Sequence, residues 1–75
     1  MNFAEFIKLA RVQLFLSQKD FAQAVGVGLT TLKQWERGEF LPSYSNFKKL
    51  LKYFELDVSK RMDMLLIYER EKAGM

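Results

Sequence analysis

Apolar residues recur along this chain at intervals of three and four, the spacing of one face of an α-helix. Phe3, Ile7, Ala10 and Leu14 set the rhythm at the start. Asn2, with Glu5 three residues on, fits an N-cap and its reciprocal partner, so a first helix is predicted from Phe3 to Gln13. Ser17 and Asp20 repeat the capping signal ahead of a second helix, Gln18 to Ala24, which should bury Phe21, Ala22 and Val25. Gly26 then stops the chain in a left-handed residue that has no Cβ to clash.

Gly28 serves as the next N-cap, and a third helix is predicted from Leu29 to Arg37, with Leu32 and Trp35 inward and Gly38 at its end. The loop Glu39-Phe40-Leu41-Pro42 leads into a fourth helix, Ser43 to Phe54, whose core stripe is Phe47, Leu50, Leu51 and Phe54. Asp57 or Ser59 caps a fifth, Val58 to Lys72. Neither a strand alternation nor an internal repeat interrupts this series. The fold class expected is therefore all-α, five helices in one domain spanning 1–75, with a helix-turn-helix core at about 17–38.

The fifth helix differs from the others. Met62, Met64, Leu65, Leu66, Ile67 and Tyr68 are apolar on more than one face, and such a helix needs burial on two sides. One side is the domain's own core. The other calls for a partner, and the expected homodimer contact is Met64, Ile67 and Tyr68, with Leu65 beside them.

Composition narrows the function. The 75 residues include no cysteine and no histidine, which removes disulfides, thiolate zinc sites, and the commonest metal ligand and general base. Without a phosphate-cradling glycine loop or paired carboxylates in an apolar setting, the chain is not expected to be an enzyme, and no cofactor or metal is expected. The first residues lack a signal-peptide pattern, and the apolar run 64–68 is far short of a membrane span. The compartment expected is the cytoplasm, with the nucleoid when bound to DNA. The net charge of +3 is unevenly shared. Residues 1–54 hold eight Lys and Arg against four acids, a balance of +4, while 55–75 come to −1. A polyanion would meet the first two-thirds of the chain.

Helix 2, the turn at Gly26 and helix 3 form a unit of the kind that places its second helix in the major groove of DNA. Ala22 must be small where the helices cross, and Val27 and Leu32 must be apolar to hold the pair on the body. Thr30, Lys33 and Gln34 share the exposed helical face, at spacings of three and four. The plainer alternative is a solvated polar surface.

The run Leu16-Ser17-Gln18-Lys19-Asp20-Phe21-Ala22, then Gly26-Val27, then Leu32-Lys33-Gln34-Trp35-Glu36-Arg37-Gly38 and Pro42 resembles the Cro/lambda-repressor-like (XRE) helix-turn-helix domain over roughly residues 3–60. The resemblance implies a five-helix fold and double-stranded DNA as partner. It puts Leu29, Thr30, Lys33 and Gln34 at the positions that read base edges. It makes Gln18 a phosphate contact that also braces the start of the recognition helix. Arg37 and the backbone of 38–43 fall on phosphate positions, and Arg11 pairs with Glu36 as a structural ion pair. Thr31 points more to the side, toward phosphate or toward nothing. Lys48 and Lys49, in the first turns of helix 4, lie near the phosphate track or form the wet side of that helix. Trp35 reads as packing and not as a base stacker.

The chain departs from the family pattern in three places. Leu14 and Phe15 stand where Gly or a polar residue is common, Gly28 replaces a polar cap, and Leu29 replaces a polar reader. Leu29 can touch a thymine methyl but cannot form hydrogen bonds. The function expected is sequence-specific DNA binding as a homodimeric, repressor-like regulator of transcription. The alternative is a protein-interaction module, such as the antitoxin of a toxin–antitoxin pair, with Leu14, Phe15, Phe40 and Leu41 forming one apolar patch for a toxin or other regulator.

Overall fold

The computed structural model describes residues 1–74; Met75, the last residue of the expected domain, lies outside them. Five helices follow in order: α1 (Phe3–Gln13), α2 (Gln18–Val25), α3 (Leu29–Glu36), α4 (Tyr44–Tyr53) and α5 (Val58–Ala73). Among the described residues there is no strand, and no helix is long and apolar enough to cross a membrane. The expected boundaries hold to within one residue.

The caps explain that agreement. Asn2 accepts from the Glu5 amide, Ser17 from Asp20, Ser43 from Asn46 and Asp57 from Lys60. Each satisfies one of the free amides that begin a helix. Asp57, and not Ser59, caps α5. Gly26 closes α2 with φ of 92°, and the amides of Gly26 and Val27 both return to the Ala22 carbonyl, at 2.9 and 3.0 Å. A Cβ on Gly26 would meet nothing within 4 Å, so the dihedral alone requires glycine there.

The apolar stripes meet in one core: Phe3, Ile7 and Ala10 from α1; Phe21, Ala22 and Val25 from α2; Leu32 and Trp35 from α3; Phe47, Leu50 and Phe54 around α4; and Met64 and Tyr68 from α5. Leu51 only borders it. Leu14, expected in the α1 stripe, is exposed instead, because α1 ends at Gln13 and the chain turns away. Phe15 makes that turn with φ of 58° and is 96% exposed. It occupies the left-handed position that glycine usually fills at a helix end.

Tyr68 holds the far side together. Its ring stacks on Phe47 at 3.8 Å between centroids, Phe3 meets it edge-on at 6.0 Å, and its hydroxyl donates to the Pro42 carbonyl at 2.6 Å. Glu71, one turn on, accepts the Phe3 amide at the start of α1. Helix α5 thus clamps the first helix and the loop that follows α3.

This corrects the sequence expectation for α5. Met64 and Tyr68 are 0% exposed and cannot meet a second chain, and Ile67 is half-buried against the core. Of the four expected dimer residues only Leu65 is exposed. The surplus apolar surface exists, but it lies on Met62, Leu65 and Leu66. The contiguous run from Met64 to Tyr68 has no polar residue to mark which side faces inward.

Candidate nucleic-acid interface

Helix α3 is fixed from below and open above. Leu32 and Trp35 are buried, whereas Thr30, Lys33 and Arg37 are exposed on the opposite side and Gln34 is partly exposed beside them. Leu29 and Thr31 sit on the two flanks, each half-buried. One helical face thus offers a hydroxyl, an ammonium, a carboxamide and a guanidinium. These are groups that can hydrogen-bond base edges or phosphate oxygens.

The start of α3 differs from the other four helix starts in lacking a side-chain cap. Its N-cap, Gly28, has no side chain to accept an amide, and no acidic residue lies in the first turn. Its first N–H groups therefore keep their positive potential for an outside anion.

Beneath α3 lies a bonded group of three side chains. Arg11 Nε donates to Glu36 Oε2 at 2.7 Å and Arg11 Nη2 to Glu36 Oε1 at 3.0 Å, a two-pronged pair. Arg11 Nη1 also reaches the Leu16 carbonyl at 2.9 Å. The two side chains are only 13% and 4% exposed. Gln18 Nε2 donates to the same Glu36 oxygen at 3.1 Å. One carboxylate on the last turn of α3 thereby ties down α1, the α1–α2 turn and the start of α2.

Gln18 therefore braces the end of α3 and not its beginning, which corrects the expectation. Leu29 at the helix start offers no side-chain acceptor, so the amide turns to Glu36. The rest of the Gln18 carboxamide is only half-buried, and its second N–H remains free to donate to a phosphate.

The expected phosphate contacts divide. Arg37 is exposed and paired with Glu39 at 3.1 Å; such a surface pair contributes about 0–1 kcal/mol and exchanges readily. Lys48 is exposed. Lys49 is directed elsewhere: its Nζ donates to the Gly26 carbonyl at 3.2 Å, a cation at the negative end of α2. The segment 38–43 follows α3 directly and is held by the Tyr68–Pro42 bond. Tyr68, expected from the sequence at a dimer contact, instead fixes this segment from inside the core. A tyrosine in a buried apolar stripe needs an acceptor for its hydroxyl, and that was the available signal.

The four expected patch residues do not form one surface. Leu14 borders a cleft with Tyr53, Phe54 and Leu56 at the C-terminal end of α1. Phe40 and Leu41 border another beside Phe3 and Ala4, at its N-terminal end. The length of α1, about 16 Å for its 11 residues, separates them. Among the described residues there is no group of acids that could hold a metal ion.

A helix-turn-helix family model matches residues 7–60, from within α1 to the first turn of α5. The Type II methyltransferase M.SsoII of Shigella sonnei is 38% identical over 55 residues, which cover 69% of this chain and 14% of that protein. The chain thus spans 14% of the length of this curated relative. No solved structure matches.

Proposed function

The chain belongs to the helix-turn-helix family, of the DNA-binding XRE type, and on that premise we propose that it binds double-stranded DNA sequence-specifically, as a homodimeric transcriptional repressor. The observation that carries the reading is the two-sidedness of α3. Leu32 and Trp35 anchor it, whereas Thr30, Lys33 and Arg37 on the other side are exposed and Gln34 is partly so. A helix held this way fits the major groove, about 12 Å wide.

In the proposed complex Lys33 and Gln34 read base edges, with Thr30 and Leu29 beside them. Arg37, Gln18 and the amides of 38–43 hold phosphates, together with Lys48 and, from the flank, Thr31. One recognition helix reads only a few base pairs, so specificity calls for two copies on half-sites about 34 Å apart. Repression then follows from occupancy of the site. The role is one of binding without catalysis, exercised in the cytoplasm on the nucleoid.

Selection from randomised duplexes with the purified protein tests this. A two-fold symmetric site with half-sites about 10 base pairs apart is expected. Recovery of unenriched sequence at low salt would refute sequence-specific readout.

A second reading adds a protein partner, such as a toxin or another regulator. Phe15 and Leu56, 96% and 94% exposed, favour it, since both present large apolar groups to water.

A further inference from the structure

Leu29 is an apolar residue that the core does not use. It opens α3 and is half-buried on the flank of the exposed face. Val27, two residues before it, packs against the core, and Leu29 does not. At about 100° per residue, Leu29 stands about 40° round the helix from the exposed Lys33 and about 60° from the buried Leu32. Its side chain therefore borders the polar face on the Lys33 side. Gly28, just before it, carries no side chain, and a Cβ there would meet only Thr31 Oγ1, at 3.7 Å. The helix start is slim where Leu29 would approach a base edge.

We propose that Leu29 reads the C5-methyl group of a pyrimidine in the major groove, so that binding answers to the methylation state of that base. Thymine is then preferred to uracil, and 5-methylcytosine to cytosine. This rests on the DNA reading above and names the chemical group that one of its contacts recognises.

Chemistry selects that group. A leucine side chain has no donor and no acceptor. Set against a base nitrogen, a base oxygen or a phosphate, it would strip away water and return no hydrogen bond. The C5-methyl of thymine is the apolar group that base edges present in the major groove. Cytosine carries a hydrogen at the same ring position. Methylation there puts the same methyl into the groove and leaves the pairing edge unchanged. A reader blind to hydrogen bonds responds to that methyl in either base.

The size of the effect follows from one methyl group. Burying it favours binding about fourfold. That is enough to shift occupancy of a site and too little to create one.

Anisotropy titrations with a selected duplex test the proposal. Each thymine is replaced in turn by uracil, and at one position in each half-site the parent chain should lose affinity about fourfold. Cytosine and 5-methylcytosine are then compared at that position, and the methylated base should bind about fourfold more tightly. Within each comparison the two duplexes differ by one methyl and keep the same pairing. Leu29→Ala is too short to reach the methyl and should bring both ratios to about one. Leu29→Met keeps an apolar side chain of similar volume and should preserve them. Thermal unfolding of both variants should match the parent, because Leu29 does not pack against the core.

Parent ratios near one at every thymine overturn the proposal. So does a ratio that survives Leu29→Ala, which would assign the methyl contact to another residue such as Thr30. A chain that binds the selected duplex tightly and ignores the methyl keeps the DNA reading and loses this proposal alone. A chain that binds no duplex loses both.

Discussion

Arg11 and Glu36 face each other through two parallel hydrogen bonds, at 2.7 and 3.0 Å, beneath the last turn of the recognition helix. The pair is a brace between α1 and α3. Removing one partner strands a buried charge, so Glu36→Ala or Arg11→Ala should cost about 3–5 kcal/mol in urea unfolding. Replacing both together with apolar residues of similar volume should cost much less. Equal losses for the single and the double variants would contradict this.

Tyr68 and Pro42 link the C-terminal helix to the loop proposed to hold phosphate. Tyr68→Phe keeps the ring on Phe47 but leaves the Pro42 carbonyl without its donor. A loss of about 1–3 kcal/mol in stability is expected. DNA affinity should fall to the same degree for selected and unrelated duplexes, because the loop contributes no base contact. A change in base preference would show that the loop does more than hold the backbone.

Readers and anchors on α3 should separate. Gln34→Ala should cost about 1–3 kcal/mol at one base pair and relax the preference there. Arg37→Ala should weaken all sequences alike and reduce the slope of log affinity against log salt by about 1. Anisotropy titrations at several salt concentrations check both. Two variants that lose affinity equally for every sequence would remove the distinction.

Phe15 and Gly26 make a matched test of backbone strain. Both have positive φ, but only one is glycine. Phe15→Gly should stabilise the fold by up to about 1 kcal/mol, and Gly26→Ala should destabilise it by about 1–2 kcal/mol. Thermal unfolding measures both. A stabilising Gly26→Ala would contradict the left-handed turn.

Much of this architecture is legible in the residues. Asn2, Ser17 and Asp57 announce helix starts because their side chains can accept the free amides, and Gly26 announces the turn. Two departures are harder to read. Phe15 looks like any exposed aromatic, and only the glycine common there in the family pattern hints at a left-handed backbone. The five apolar residues of 64–68 offer two faces without polar punctuation, so the core side of α5 was misjudged and Tyr68 with it. Lys49 belongs to a third kind: a surface lysine reaches many acceptors, and only the packing of α4 against α2 selects the Gly26 carbonyl.

Backbone amide mapping by NMR on addition of a selected duplex tests the central claim most directly. The largest shifts should fall on Gln18, on residues 29–37 and on the segment 38–43, with the core side of α5 little changed. Shifts centred on α5 and the outer face of α1, or no shifts at low ionic strength, would contradict the placement of DNA on α3.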